Sequence, residues 1–389
     1  MSRGLLSAAV TDRASRAWIS DGAADIDRRA ERELEALVGA SSPSRDAAAL
    51  EEVAAIATAL LPPEAAVERP ECSSPGSAPD LLARLSGTGA VRLLLLGHLD
   101  TVVAHAEHRP LERDGDRLTG SGTVDMKGGV VLALGVLRLL AAARESFAEA
   151  ALLLVTDEEW RTHDFAHSER FAGFDACLCF EAGERGPDGE EGIVVRRKAA
   201  ATLRLRATGL AAHSGSAPDQ GRNALLAVAA AAERVAAAHD PRGPDRLTAV
   251  PTVLRSGDAF NVVPAAGELV CDLRADRLDA FDAVLATLPA ELDGVALSSE
   301  MVRVWPGMDT RPAAAGLLSR AGALLGRPLV GVERGGASDA SHVATRVPLT
   351  VDGLGPRGGG AHTASEFVLR DSLRSRAEVA LAVTAALLG

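Results

Sequence analysis

Four short, nearly continuous apolar runs constrain this chain more than any other feature: Val91 to Leu96, Ala150 to Val155, Ala176 to Phe180 and Val347 to Val351. A strand with one wet face alternates apolar and polar residues, so runs without that alternation require a sheet covered on both sides, the arrangement of α/β folds. Helical patterns fall between the runs. Lys127 to Ala143 is apolar around most of its circumference, which fits a helix buried against such a sheet. Upstream, residues 8 to 38 and 46 to 61 read as two amphipathic helices, parted by the breaker Gly39-Ala-Ser-Ser-Pro-Ser44 and stopped by Pro62-Pro63.

Between about 198 and 308 the pattern changes. It reads as strand (Ala201 to Thr208), helix (Arg222 to Ala238), strand (Leu247 to Ser256), strand (Glu268 to Ala275), helix (Leu278 to Leu288) and strand (Val295 to Val304). That order is the ferredoxin-like βαββαβ pattern of an α+β unit. A chain of 389 residues is long for one core, and the apolar style resumes at 347 to 351. The reading is an α/β domain built from 1–197 and 309–389, with a smaller domain, 198–308, inserted into it.

Ligands of open α/β sheets gather beyond the carboxyl ends of the strands. Each of the four runs ends there in a residue with chemistry: Gly97-His98-Leu99-Asp100, Thr156-Asp157-Glu158-Glu159, Glu181, and a Gly-rich loop closing on Gly360-Ala361-His362. His98 and Asp100, two apart, project to one side, so the Asp100 carboxylate is placed to accept the second ring N–H of a metal-bound imidazole. Glu158 and Glu159 point different ways, which lets one bind metal while the other faces water. Asp125 sits at the tip of Gly120-Ser-Gly-Thr-Val-Asp125-Met-Lys-Gly-Gly129, whose glycines allow close backbone approach, and it can reach two metals at once. That loop imitates a dinucleotide fingerprint, but Asp125 stands in place of the third glycine and its charge would repel a pyrophosphate.

Asp125, Glu159 and Glu181 with two neutral imidazoles, His98 and His362, offset all but one unit of the charge on two divalent cations. Three protein ligands per metal, with Asp125 shared, leave an open position on each, as catalytic zinc requires. Glu158 then handles the proton between water and the leaving nitrogen. Mixed N/O ligands favour zinc, with cobalt or manganese as substitutes.

In this order the motifs resemble the zinc aminoacylase, acetylornithine deacetylase, succinyl-diaminopimelate desuccinylase and glutamate carboxypeptidase family, over nearly the whole chain. The residues that carry the likeness are Gly97-His98-Leu99-Asp100-Thr101-Val102, the 120–129 loop, Thr156-Asp-Glu-Glu159, Glu181 and Ala361-His362-Thr-Ala-Ser-Glu366. The resemblance implies a mixed-sheet zinc-peptidase domain with an inserted dimerisation or lid domain that closes over substrate. It implies two Zn²⁺, one on His98, Asp125 and Glu181, the other on Asp125, Glu159 and His362, with Glu158 as base. Ala212-His213-Ser-Gly215 and Gly221-Arg222-Asn223-Ala224 are similar to the family's dimer contact, which implies a homodimer in which His213 stabilises the oxyanion of the neighbouring site. Asn261, Arg274 and the loop Gly335-Gly336-Ala-Ser-Asp339 resemble substrate-binding positions, Arg274 matching a carboxylate bidentately. Arg197-Lys-Ala-Ala-Ala-Thr202 and 215–223 are closest in flavour to the glutamate carboxypeptidase branch. The chain departs from the pattern at Asp157-Glu-Glu-Trp160-Arg161-Thr162, where many members have Gly at the position of Arg161, and at Trp305, where the glutamate-specific type carries Arg.

The expected reaction is hydrolysis of an amide bond next to a free carboxylate, releasing an amino acid from a peptide or N-acyl conjugate in the manner of a carboxypeptidase. A deacylase acting on a small acyl group is the alternative among hydrolases. A non-catalytic metal-dependent module that binds amino-acid conjugates is the alternative of another class; Glu158 beside a full ligand set argues against it, because binding needs no base. A net charge of −12 argues against nucleic acid or an anionic membrane as partner and leaves a small polar substrate. Tyr is absent, which removes it from every set of candidate acids. Residues 1–15 lack the apolar core and cleavage pattern of a secretory signal, and no run of about 18 uncharged apolar residues occurs, so a cytoplasmic protein is expected. Cys177 and Cys179, two apart, are expected on one buried face. His163 and His167 lack the Glu of H-E-x-x-H and, like His105, His108, His239 and His342, are not expected to bind metal.

Overall fold

The computed structural model describes residues 16–389; positions 8–15 of the first expected helix, and the residues read for a secretory signal, lie outside the described residues. The helix Arg16–Gly39 buries Ile19, Ile26, Leu34 and Leu37 and packs on Gly128–Ala141 and Arg370–Leu388. Ala47–Ala59 follows, started by Asp46, whose carboxylate accepts from Ala49 N at 3.0 Å. Among the described residues no helix is long and apolar enough to cross a membrane.

These helices cover a six-stranded sheet in the order Ala66–Glu68, Leu81–Ser86, Glu149–Val155, Arg92–His98, Ala176–Cys179, Thr350–Val351. The outer pairings through Leu81–Ser86 are antiparallel and the remaining three are parallel, so the sheet is mixed and four strands end along one edge. Leu93, Leu95, Leu152, Leu154 and Leu178 are fully buried in its core, each contributing about 1.5–3 kcal/mol. Cys177 and Cys179 are buried within it as free thiols.

The fourth run is shorter than its apolar length suggests. Only Thr350–Val351 is strand: Pro348 has no N–H to give to a ladder, and Val347 N bonds back to Val343 O at 2.9 Å at the end of helix Asp339–Ala344. A small sheet with no visible sequence periodicity, in the order Gly358–Gly359, Phe367–Leu369, Arg117–Thr119, Glu112–Asp114, has strands of two or three residues. Its first two strands form the hairpin that carries residues 360–366.

Contacts divide the chain into two compact units: the described residues through Arg196 with Asp309–Glu333 and Ser338–Gly389, and Arg197–Met308 with Arg334–Ala337. The sequence reading assigns 334–337 to the larger domain; the segment instead packs with the smaller, where Arg197 Nη1 donates to Gly336 O at 2.8 Å. The smaller unit is an antiparallel sheet in the order Thr248–Ser256, Ala266–Ala275, Ala199–Thr208, Val295–Trp305, Glu291–Leu292. Its four long strands have the ferredoxin-like order. Val228 and Val235 of helix Ala224–Ala237, with Phe281 and Val284 of Ala280–Leu285, share its core with Leu203, Leu205, Leu269 and Leu273.

Candidate metal centre

Parallel strands place their carboxyl ends together, and this chain puts ionisable residues on three of them. His98 closes Arg92–His98, Glu158 and Glu159 follow Glu149–Val155, and Glu181 follows Ala176–Cys179. His98 Nε2 lies 3.1 Å from Asp125 Oδ1 and 3.8 Å from Glu181 Oε1. His362 Nε2 lies 3.1 Å from Asp125 Oδ2 and 3.1 Å from Glu159 Oε1. Asp125 therefore turns one oxygen to each imidazole. Each triad, His98–Asp125–Glu181 and Asp125–Glu159–His362, has ligand atoms within 4.8 Å of one another, as do His98, Glu158 and Glu159.

His362 does not arrive from the fourth parallel strand, as the sequence order suggests, but from the tip of the 358–369 hairpin, where Gly360 (φ 72°) and His362 itself (φ 64°) adopt left-handed backbone. The same hairpin supplies Glu366, whose carboxylate accepts from Gly122 N at 2.9 Å, Val124 N at 2.8 Å and Asp125 N at 3.0 Å. Glu366 thus holds the loop that presents Asp125. In the sequence it stands out only as the last residue of the 361–366 motif, with no role assigned to it. At the far end of that loop, Gly129 sits so close to Phe180 O that a Cβ would stand 1.8 Å away, which ties the helix start to the strand that delivers Glu181.

Asp100 works differently from expectation. The His98 Nδ1 bond of 3.0 Å goes to the Asp100 main-chain carbonyl, with the carboxylate at 3.4 Å. That carboxylate instead accepts from Glu158 N and Glu159 N, both at 3.1 Å, and from Ser44 Oγ at 2.7 Å. It fixes the turn carrying both glutamates and leaves the His98 ring N–H to the backbone.

Burial opposes charge on His98, but the Asp100 carboxylate 3.4 Å away, the bond to Asp125 and the charges of Glu181 and Glu158 push its pKa well above the usual range. Hydrogen bonds to Asp125 and Glu159 push His362 up to about 10. Burial would raise Asp125, yet the bonds from His362 and His98 hold it below the carboxylate range. Glu158 is pushed well up by burial, and the carboxylates of Glu159 and Glu181 add to this against the opposing His98. Four carboxylates facing two imidazoles form a donor set that attracts cations. The His362 side chain is 51% exposed where that of His98 is 1%, and beside it opens a cavity of about 620 Å³ lined also by His108, Arg109 and Thr363, a size suited to small molecules.

Arg161, one of the two departures from the family pattern, is fully buried behind this turn. It donates to Asp157 Oδ1 through Nε and Nη2 at 3.1 and 2.7 Å, and to Asp339 through Nη1 and through Nη2 at 3.1 Å. Asp339 lies in the stretch read as a pocket loop; here it is half of a buried ion-pair network. Trp305, the other departure, is a core residue with the Arg303 guanidinium 4.6 Å from its ring centroid. Of the remaining histidines, His163 is exposed and His167 pairs with buried Asp80 at 2.7 Å.

The substrate candidates of the smaller unit are held locally. Arg274 already forks onto Asp272 of its own strand at 3.0–3.2 Å. His213 Nδ1 accepts from Gly215 N and Ser216 N, both at 3.1 Å, which leaves its proton on Nε2. Asn261 is exposed and its carbonyl accepts from Ser214 N at 3.0 Å; Gly335 has open space on its Cβ side, and Gly336 O takes the Arg197 bond.

A profile of peptidase family M20/M25/M40 matches residues 94–386, a span that takes in every residue of the cluster. The chain belongs to this peptidase family. Among its M20 relatives, carboxypeptidase G2 of Pseudomonas sp. (strain RS-16) is 28% identical over 299 residues, 73% of this chain and 71% of that protein. Succinyl-diaminopimelate desuccinylase of Methylobacterium sp. (strain 4-46) is 29% identical over 327 residues, 74% of this chain and 79% of that one. The solved structure of aminopeptidase PepT from Bacillus cereus ATCC 10987 shares the fold, with a TM-score of 0.76 at 20% identity over 93% of this chain and 99% of that one. An M20 family metallo-carboxypeptidase from Sulfolobus solfataricus does so at 0.72 and 14%, over 92% and 99%. As an M20 peptidase the chain is a metal-dependent amide hydrolase, and the cluster is its candidate metal-binding group.

Proposed function

We propose that this hydrolase cleaves an amide bond next to a free carboxylate, releasing an amino acid from a peptide or N-acyl conjugate, at a centre of two zinc ions. The observation that carries the reading is Asp125, one carboxylate with each oxygen 3.1 Å from a different imidazole. His98, Asp125 and Glu181 would hold one ion, and Asp125, Glu159 and His362 the other; cobalt or manganese suits the same donors. When bound, the metals acidify a water and polarise the scissile carbonyl. Glu158 takes the water's proton and hands it to the leaving nitrogen, a step worth about 10²–10⁴ in rate. Asp100 keeps Glu158 and Glu159 in register through their amides.

In this reading the 198–308 domain serves dimerisation and substrate binding. Leu226, Leu254 and fully exposed Phe260 lie on it, and Thr248–Ser256 is an open sheet edge, features that support a homodimer. The Nε2 proton of His213 suits an oxyanion, while Asn261, Arg274, Gly335 and Gly336 are the substrate contacts that the family resemblance suggests. A carboxypeptidase and a desuccinylase among the relatives support an amide substrate bearing a carboxylate. Four free cysteines, three of them buried, suit a reducing cytoplasm.

The test is incubation of zinc-loaded protein, beside Glu158→Ala, with pooled N-acyl amino acids and dipeptides, reading released amines by mass spectrometry. Release of amino acid by the wild type alone, with metal retained in both, is expected, and the products separate peptide cleavage from small-acyl deacylation. Inertness of both forms with two metals bound would turn the reading towards a binding module.

A further inference from the structure

A second cavity, of about 260 Å³, lies in the larger unit between residues 74–77 and the turn after strand Glu149–Val155, and none of the five proposed metal ligands lines it. Asp157 does, although it is only 3% exposed. Its Oδ1 is taken by Arg161, but its Oδ2 is buried and has no hydrogen-bond partner. Ser77 Oγ, in the same lining, is also buried, with the Cys72 thiol beside it. Buried polar atoms are rarely left unmet, so a donor from outside the chain completes this wall. Charge favours an ammonium over water: Arg161 is shared between Asp157 and Asp339, which leaves one uncompensated negative charge in a buried network.

The rim has the opposite sign. Arg45 is exposed, lines the cavity, and stacks its guanidinium 4.7 Å from the Trp160 ring centroid. Its backbone is held at φ 72°, a left-handed conformation uncommon outside glycine. A stacked guanidinium keeps its N–H edge for an anion. The volume falls below the roughly 300–1,000 Å³ of sites for drug-sized ligands. We infer that this cavity is a binding site for a free amino acid, with the α-ammonium on Asp157 and Ser77 and the α-carboxylate on Arg45.

The site is wired to the metal cluster. Ser44 lines it and donates to Asp100 Oδ2 at 2.7 Å, and Asp100 in turn holds the amides of Glu158 and Glu159. Asp157 and Trp160 flank those two glutamates in sequence. An occupant therefore bears on the turn that carries the base, and the proposed reaction releases a molecule of the class the site takes. The link to product control rests on the proposed function; the binding does not.

Isothermal calorimetry on the zinc-loaded protein with free L-amino acids, one at a time, tests it. At least one amino acid should bind wild type and Glu158→Gln alike. Its N-acetyl and carboxamide derivatives, and the unmodified amino acid on Arg45→Ala, should bind about tenfold more weakly or worse. Ser77→Ala should weaken it as well, with an unchanged melting temperature showing that the fold persists. Binding that ignores Arg45→Ala, or N-acetyl derivatives that bind equally well, would overturn the assignment and place the ligand in the metal cleft. Absence of binding by every amino acid would make the cavity a water site. Hydrolysis measured separately on the same samples tells failure of this inference from failure of the proposed function.

Discussion

In the larger unit the candidate residues are tied to partners far away in the chain: His362 to Glu159, 203 residues apart, and the amide of Asp125 to Glu366, 241 apart. In the smaller unit the ties are short, with His213 bonded two and three residues on and Arg274 bonded two residues back. Long-range ties exist only once the fold is complete, so they report a geometry that folding itself builds. Short ones form within one loop or strand and are easily exchanged for a substrate or a partner subunit. The first region is preorganised and the second is available.

The largest effect that would sharpen this contrast is Arg161→Met. It leaves Asp157 and Asp339 buried without their shared cation, and urea unfolding should show a loss of about 3–5 kcal/mol; a loss under about 1 kcal/mol, as for an exposed pair, would break the contrast. Next comes Glu366→Gln, which weakens the clamp on the Asp125 loop at unchanged charge on the ligands themselves. Zinc affinity measured by competition with a chelator should fall about 10–100-fold.

A pH effect follows from His362. Its pKa is raised to about 10 from 6.5 in the metal-free protein, so the stability it adds is full below 6.5 and is lost as pH rises through about 10. Metal binds the neutral ring, so the rise in melting temperature on adding zinc should grow across that window. A zinc effect that shrinks with pH would contradict the placement of His362 on the metal. The smallest change is Arg274→Ala: an ion pair this exposed is worth about 0.2–1 kcal/mol, so stability should barely move, while KM for a carboxylate-bearing substrate rises if Arg274 exchanges Asp272 for substrate.

The fold was legible where one strand buries both faces, and the cluster was legible where an acid or imidazole directly follows such a strand, as His98, Glu158, Glu159 and Glu181 do. What stayed hidden depends on contacts between distant segments. Arg161 stands out in sequence as a departure, but its meaning needs Asp339, 178 residues on. Glu366 and the hairpin that brings in His362 rest on strands of two and three residues, too short to leave a period. The Asp100 side chain was assigned to the ring N–H because two-residue spacing puts it on the right side; the backbone carbonyl of the same residue is nearer and takes the bond.

Metal content by mass spectrometry on dialysed, zinc-reconstituted protein tests the central claim most directly. Two zinc ions per chain are expected in the wild type and in Glu158→Gln, and one in His362→Ala, since that change removes a ligand from one triad and leaves His98, Asp125 and Glu181 complete. One ion or none in the wild type, or two retained in His362→Ala, would contradict a centre bridged by Asp125.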